Sequence, residues 1–261
     1  MMEEILTYTW VILLGLCVGS FLNVLVYRLP RKINIGLSRS FCPCCRVKIK
    51  FYDNIPVISY LLLGGKCRYC RAEIPARYPL VELFNAGIYA YFLWHWGLGW
   101  QFFIYAFLAS VLVTIIFIDV EFQIIPDMLT IPGIVVGLGV SILPSGIGIT
   151  SALIGLLVGG GVLYLIAILG DLLFRKDSMG GGDIKMTAML GAFLGWQKIV
   201  LIFFAGALIG LVISIIVMFF SKKVRSTRVI PFGPFLAAAA FLAIIYGDSI
   251  ISFYISHFFN I

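Results

Sequence analysis

The chain has 261 residues, of which 62% are hydrophobic and only 12% are charged, and its net charge is +7. A soluble globular domain carries about 25% charged residues. Together with a mean hydropathy of +1.09, this composition excludes a soluble protein and indicates one that crosses a membrane several times.

Apolar runs close to the roughly 20 residues that a helix needs to span a bilayer follow one another along the chain. They lie at 6–27, 79–97, 101–120, 129–145, 149–173, 198–220 and 231–254. A shorter run, 186–197, fits only as a thin or tilted span. Because lipid offers the backbone no hydrogen-bond partners, we predict an all-α polytopic membrane protein with about eight transmembrane helices.

The first apolar run is similar to a secretory signal, but it is long and its basic residues follow it. No small-x-small cleavage site precedes the loop that comes next, so we predict that residues 1–30 form a retained first transmembrane helix. Residues 31–76 form a long polar insertion, and 77–261 hold the remaining spans. We therefore expect a first helix, a loop domain and a membrane core.

Basic residues are concentrated in three segments, 28–77, 174–185 and 222–228, which hold all but one of the 19 lysines and arginines. With eight spans these segments lie on one side, and the positive-inside rule makes that side cytoplasmic. Both termini are then on the far side of the membrane. Topology and contact with anionic lipid account for the net charge, so we expect no nucleic-acid partner.

The insertion carries two C-x2-C pairs, Cys42 with Cys45 and Cys67 with Cys70. This spacing is typical of a zinc ribbon, in which four thiolates surround one metal ion. Two disulfides or unpaired thiols are the alternatives, although a cytoplasmic loop is reducing. So short a loop buries little core, so we predict a structural zinc that supplies much of its folding free energy.

Two further cysteines, Cys44 and Cys17, do not belong to the two C-x2-C pairs. Cys44 makes the first pair Cys-Pro-Cys-Cys, and it could replace Cys42 or Cys45 as a ligand, although the spacing favours those two. Cys17 lies within the first apolar run, where a lone thiol is most often a packing residue.

Two aspartates interrupt apolar membrane segments: Asp119 ends the third span, and Asp183 opens the sixth. Charged groups at membrane depth are rare and usually serve proton transfer, ion passage or catalysis. The predicted topology places both at the cytoplasmic margin, where two close carboxylates would share one proton. The ionised carboxylate could then activate water while the protonated one polarises a peptide carbonyl. We therefore predict an aspartic peptidase pair.

Three glycines, Gly180 to Gly182, directly precede Asp183. We expect them to let the backbone turn sharply into the sixth span and to let an extended substrate approach closely. A phosphate-binding loop is disfavoured, because the Lys-Ser or Lys-Thr of a P-loop is missing.

Other residues receive structural interpretations. Asp127 follows Pro126 and is predicted to cap the fourth span. Glu82 is predicted to be held by the adjacent Arg77 or by another buried cation. Small residues at 155–161 and 206–210 are predicted to let helices pack closely.

In its order of motifs the chain resembles the bacterial type IV prepilin peptidases, also called prepilin leader peptidase/N-methyltransferases, from Gly19 to about Gly247. The two cysteine pairs belong to this pattern. The other matching motifs are Gly19-Ser20-Phe21-Leu22-Asn23-Val24, Arg28-Leu29-Pro30, Asn54-Ile55-Pro56, Ser59-Tyr60, Arg77-Tyr78-Pro79-Leu80-Val81-Glu82, Ile118-Asp119, Pro126-Asp127, Gly180-Gly181-Gly182-Asp183-Ile184-Lys185 and Pro231-Phe232-Gly233-Pro234.

The resemblance implies that Asp119 and Asp183 are the catalytic pair of a GxGD-type intramembrane aspartic protease. It implies cleavage of the basic leader of a prepilin or pseudopilin after a glycine, at the cytoplasmic face. It also implies methylation of the new N-terminal residue with S-adenosylmethionine, an activity associated in this family with the cysteine loop. No Gly-rich nucleotide fingerprint is visible, so the residues that bind the methyl donor are unknown.

Two other classes of protein compete with this interpretation. An ion-coupled transporter would place its acids near the bilayer midplane on broken helices and usually shows repeat symmetry, whereas here the acids lie at the edge and no repeat is evident. A zinc-loop membrane adaptor without enzymatic activity would leave the two aspartates without a role.

Overall fold

The structure, a computed structural model, describes residues 2–36, 39–174, 180–220 and 230–258. These residues form eight α-helices and one 3-10 helix, Phe51–Asn54, and they contain no β-strand beyond two isolated bridges. The prediction of an all-α fold is confirmed. The α-helices are α1 (Met2–Arg28), α2 (Ile58–Leu62), α3 (Arg77–Trp96), α4 (Trp100–Phe122), α5 (Asp127–Val140), α6 (Ile149–Phe174), α7 (Gly181–Phe220) and α8 (Gly233–Phe258).

Five of the described helices, α1, α4, α6, α7 and α8, are long and apolar enough to cross a membrane. Helix α5 is apolar but has only 14 residues, and α3 has 20. The eight predicted spans correspond to α1, α3, α4, α5, α6, the two parts of α7, and α8. The number of membrane crossings stays a prediction. The basic residues at 175–176 and 222–228, which support the predicted orientation, lie outside the described residues.

The chain divides into two compact units, Met1–Thr114 and Ile115–Ile261. In the first unit α1 packs along α3. The two backbones approach closely at Gly15 and Gly19, where an added Cβ would lie 2.7 Å from the Cα atoms of Ala86 and Glu82. The buried Asn85 side chain donates a hydrogen bond of 2.9 Å to the carbonyl of Gly15. These contacts fix the start of α3 beside the end of α1.

In the second unit α7 packs against α5, α6 and α8. Helices α6 and α7 touch backbone to backbone at Gly155 and Gly191, where neither residue has room for a Cβ. One turn further on, the Thr187 hydroxyl donates a hydrogen bond of 2.9 Å to the carbonyl of Gly159. The predicted role of the small residues in close helix packing is confirmed.

Two helix boundaries differ from the prediction by five residues, more than the others do. Helix α5 ends at Val140 instead of reaching 145, because Pro144 has no N–H to continue the helix. Helix α7 begins at Gly181, five residues before the predicted 186, since Asp183 in its first turn interacts favourably with the positive end of the helix dipole.

Helix α7 is interrupted at Gly195, whose φ of 80° and ψ of 170° are not helical. Such a backbone conformation is open to glycine but strained for other residues. The break separates a short first part from a long second part, close to the boundary predicted between the sixth and seventh spans. Asp183 therefore lies on the short first part of α7.

Candidate active site and metal centre

Asp119 lies in the last turn of α4, with only 5% of its surface exposed. Its Oδ2 accepts a hydrogen bond of 3.0 Å from the backbone N–H of Gly233, the first residue of α8. The absence of a side chain at residue 233 is required here, because a Cβ would lie 2.6 Å from that oxygen. The start of α8 therefore holds the Asp119 carboxylate in place.

Asp183 lies in the first turn of α7. Its backbone N–H donates a hydrogen bond of 3.1 Å to the carbonyl of Gly180. Its Oδ1 is buried and has no hydrogen-bond partner in the part of the chain that the structure describes. A buried carboxylate oxygen without a partner is unfavourable unless a water or a substrate group binds it. This oxygen thus keeps a free acceptor position.

The two aspartates converge within the second unit, although they are 64 positions apart. The carboxylates are close enough for the charge of Asp119 to act on Asp183. Ile125 packs against the starts of both α7 and α8, since added Cβ atoms at Gly182 and Gly233 would lie 2.8 Å and 3.2 Å from its side chain. Three helix ends, those of α4, α7 and α8, therefore meet at one carboxylate pair.

The glycines before Asp183 act differently from the prediction. None of Gly180, Gly181 and Gly182 has a positive φ, so no sharp glycine turn precedes the helix. Gly182 is needed for close packing against Ile125, whereas Gly181 faces open space. Helix packing explains one of the three glycines, and close approach of a substrate at Gly181 stays a prediction.

The prediction that Asp127 caps α5 is wrong. The capping position is occupied by Pro126, and no side chain caps this helix. Asp127 instead forms an ion pair of 2.7 Å with Lys185, two residues beyond Asp183, and both side chains are about half exposed. An exposed pair contributes little stability, but it links the start of α5 to the first turn of α7.

The two C-x2-C pairs form turns with the same hydrogen bonds. In the first, the N–H of Cys42 donates to the carbonyl of Val47 and the N–H of Arg46 donates to that of Cys42. In the second, the N–H of Cys67 donates to the carbonyl of Ala72 and the N–H of Arg71 donates to that of Cys67. Arg46 and Arg71 both have a positive φ near 60°. The loop thus repeats one turn twice, a relation that the sequence shows only as repeated cysteine spacing.

The four cysteines of these turns cluster, with all Sγ atoms within 4.8 Å of one another. The Sγ atoms of Cys42 and Cys70 are 3.8 Å apart. A tetrahedron of sulfurs about 2.3 Å from a zinc ion has an edge of about 3.8 Å, so the thiols fit such an ion. None of the six cysteines forms a disulfide, and Cys44 and Cys17 are exposed and outside the cluster.

The surroundings of the cluster favour a thiolate at Cys67 and disfavour one at Cys45, whose pKa is raised to about 11 by burial and by the neighbouring thiols. The backbone N–H groups of Cys70 and Tyr69 donate to the sulfur of Cys67 and lower its pKa to about 7. Next to Cys67, the guanidinium of Arg68 forms a bidentate ion pair with Asp53, at 2.6 Å for the shortest contact. This ion pair ties the second cysteine turn to the 3-10 helix.

Sequence reasoning missed the partner of Asp119. Gly233 entered only as part of the motif Pro231-Phe232-Gly233-Pro234. The flanking prolines were a usable signal, since proline near the first turn followed by an apolar run indicates a helix start, and helix starts offer free N–H groups to carboxylates.

Membrane-capable helices, two aspartates at neighbouring helix ends and a four-cysteine cluster describe a helical membrane protein with a candidate two-carboxylate site. Comparison with known proteins specifies the family. The family model described as "Bacterial Peptidase A24 N-terminal domain" matches residues 13–96, and the one described as "Type IV leader peptidase family" matches 106–215. No solved structure matches the chain.

Curated relatives cover almost the whole chain, and each is named prepilin leader peptidase/N-methyltransferase. The relative from Pseudomonas aeruginosa is 38% identical, with 94% of this chain and 92% of the relative covered. The relative from Neisseria gonorrhoeae is 35% identical, with 91% and 90% covered. The relative from Legionella pneumophila is 34% identical, with 97% and 98% covered. The chain therefore belongs to the prepilin leader peptidase/N-methyltransferase family.

Proposed function

We propose that this protein cleaves the basic leader peptide of type IV prepilins and pseudopilins after a glycine, and then N-methylates the new N-terminal residue. The observation that carries the proposal is the convergence of Asp119 and Asp183 at the ends of membrane helices, with Ile125 against the starts of α7 and α8. A prepilin has a basic leader followed by an apolar helix, so its scissile bond lies at the membrane margin.

In the proposed cleavage, Asp119 and Asp183 share one proton. The ionised carboxylate takes a proton from water, which attacks the scissile carbonyl, while the protonated carboxylate donates a hydrogen bond to the carbonyl oxygen. The fixed position of Asp119 on the Gly233 N–H and the unpaired Oδ1 of Asp183 support this arrangement. The proton then passes to the leaving amine, and both carboxylates return to their starting state.

The cysteine cluster is proposed to hold a structural zinc ion through Cys42, Cys45, Cys67 and Cys70. The 3.8 Å sulfur separation and the exclusion of Cys44 from the cluster support this ligand set. Four protein ligands leave no open position, so the ion would cross-link the two cysteine turns. The methyl donor is proposed to be S-adenosylmethionine, the donor class that the resemblance implies.

The protein is proposed to lie in the bacterial inner membrane, with the aspartate pair and the cysteine loop on the cytoplasmic side. The distribution of basic residues supports this orientation through the positive-inside rule. The exposed apolar faces of α6 and α7 are in keeping with contact to lipid.

The two activities can be tested separately in detergent with a prepilin-like peptide and the same peptide already cut. Asp119→Asn should abolish cleavage but still methylate the cut peptide. Asp171→Asn, an exposed acid on α6, is the matched control and should retain both activities. Normal cleavage by Asp119→Asn, or no methylation by the wild type, would refute the corresponding half of the proposal.

The metal assignment predicts different effects for cysteines inside and outside the cluster. Cys67→Ser combined with Cys70→Ser removes two ligands and should release the zinc measured by mass spectrometry of the purified protein. Cys44→Ser should retain one zinc per chain, because Cys44 lies outside the cluster. Full zinc content in the double variant would contradict the ligand set.

A further inference from the structure

A cavity of about 470 Å³ lies within the first unit, between the cysteine loop, the end of α1 and the start of α3. Small-molecule and cofactor sites are typically about 300–1,000 Å³ in volume. We propose that this cavity is the binding site for the methyl donor, a nucleoside sulfonium of the S-adenosylmethionine class. The proposal rests on the methyl-transfer half of the proposed function.

The cavity is lined by a buried carboxylate that forms no ion pair with any residue that the structure describes. Glu82, on the first turns of α3, is only 7% exposed. Arg77 does not hold it as predicted, because no basic side chain in the described ranges forms an ion pair with Glu82. A buried negative charge of this kind is unfavourable alone and favours a cationic ligand beside it.

Glu82 is held in position by a strained turn. Its Oε2 accepts a hydrogen bond of 2.7 Å from the backbone N–H of Val57, which also lines the cavity. Val57 has φ 60° and ψ −49°, a conformation that β-branched residues rarely adopt, and the N–H of Ile58 closes a tight turn onto the carbonyl of Pro56. Backbone strain of this kind clusters at ligand sites.

The cavity wall is rich in aromatic rings. Tyr27 from α1, Phe41, Tyr60 and Tyr69 from the loop, and Tyr78 from α3 all line it. Aromatic faces attract cations such as a sulfonium and stack on a purine ring. A second acidic side chain, Asp53, is 7% exposed and accepts hydrogen bonds from Arg68 on both oxygens, and the remaining lone pairs of such a carboxylate can accept from ribose hydroxyls.

These features together match the parts of the proposed ligand. A volume of 470 Å³ accommodates one nucleoside with an amino-acid side arm, the aromatic rings suit its base, and Glu82 suits its positive sulfur. The cavity wall carries both signs of charge, since Arg28, Lys48 and Arg68 line it together with Asp53, Glu73 and Glu82. Arg68 is paired with Asp53, so the carboxylate of Glu82 is the group that favours the positive sulfur of the ligand.

The methyl transfer requires no further reactant. The neutral α-amino nitrogen of the cut pilin donates its lone pair to the methyl carbon, forming a carbon–nitrogen bond. The carbon–sulfur bond breaks, and its electron pair stays on sulfur, which leaves as a neutral thioether. The methylated amine then releases one proton to water.

The test measures binding of S-adenosylmethionine and S-adenosylhomocysteine to the full-length, metal-loaded protein by calorimetry. Glu82→Gln keeps an acceptor for the Val57 N–H but removes the charge. It should weaken S-adenosylmethionine binding at least tenfold and weaken binding of the neutral thioether less. Glu3→Gln, at the opposite end of α1, is the matched control and should bind both ligands as the wild type does.

A second variant tests, independently of Glu82, whether the ligand occupies the volume of the cavity. Val24→Phe adds bulk at the cavity wall on α1 and should weaken the binding of both ligands. Its zinc content and its elution volume in size-exclusion chromatography show whether the variant is folded. Binding by both variants within twofold of the wild type would overturn the proposal, as would absence of binding to the wild type.

Methylation of a pre-cut peptide by the wild type separates this proposal from the proposed function. If the wild type methylates while both cavity variants bind the donor normally, methyl transfer stands and the cavity assignment fails. If the wild type neither methylates nor binds the donor, both fail.

Discussion

At the scale of single residues, the candidate active site depends on one carboxylate and one residue without a side chain. Asp119 is held by the N–H of Gly233 at 3.0 Å, and the absence of a Cβ leaves room for the carboxylate. The fixed geometry matters because misplacement of a reacting group by about 1 Å reduces rates by about 10²-fold.

Substitution of Gly233 by alanine is therefore expected to reduce leader cleavage by about 10²-fold. Its Cβ would lie 2.6 Å from Oδ2 of Asp119 and would push the carboxylate out of position. Gly139→Ala, on α5 and away from the aspartates, is the matched control, because nothing lies within 4 Å of its Cβ. The measurement is the initial rate of cleavage of a prepilin-like peptide, and equal losses in the two variants would contradict the explanation.

The aspartates and cysteines could be predicted from the sequence because their residue types are unusual where they occur. A carboxylate in an apolar run is rare, and the repeated C-x2-C spacing is specific. Gly233 and Glu82 gave weaker signals. The role of a glycine cannot be inferred from the sequence when the neighbour that excludes a Cβ is unknown. The partner of Glu82, Val57, is 25 positions away and contributes only a backbone N–H.

At the scale of elements, α7 brings Asp183 to the site through a break at Gly195. The residue has φ 80°, and an added Cβ would lie 2.8 Å from the Ser151 hydroxyl on α6. Composition predicted a short sixth span followed by a longer one, but the sequence could not give the backbone conformation that separates them. That conformation is set by close packing between α6 and α7.

Gly195→Ala is expected to destabilise the protein by about 1–3 kcal/mol, the strain of a positive φ in a residue with a side chain. Gly161→Ala is the control, because its Cβ meets nothing within 4 Å and alanine is favoured over glycine within a helix by about 0.5–1 kcal/mol. Unfolding by SDS titration in mixed micelles measures both. Equal stability of the Gly195 variant and the wild type would show that the break is not required.

At the scale of the whole molecule, charge and hydropathy determine the predicted orientation. The basic segments are all assigned to the cytoplasmic side, which would place the cysteine loop and the aspartates where a prepilin presents its leader. The predicted first helix, loop domain and membrane core came from local patterns, but the contacts within the two observed units, such as the cysteine cluster, required three-dimensional structure. Residues far apart in sequence meet there without a periodic signal.

The orientation predicts how Cys44 reacts in cells. Cys44 is exposed and outside the metal cluster, so a membrane-impermeant maleimide should label it only after the cells are permeabilised. A variant with Met2→Cys, at the predicted outer end of α1, should be labelled in intact cells. Labelling of Cys44 in intact cells would reverse the orientation.

The central claim is that Asp119 and Asp183 act as one catalytic unit. It is tested most directly by the cleavage rates of four proteins: the wild type, Asp119→Asn, Asp183→Asn and the double variant. Each single variant should lose at least about 10²–10⁴-fold in rate, and the double variant should be no slower than the slower single variant, because members of a unit are not additive. Near-normal cleavage by either single variant, or a loss in the double variant equal to the product of the two, would contradict the account.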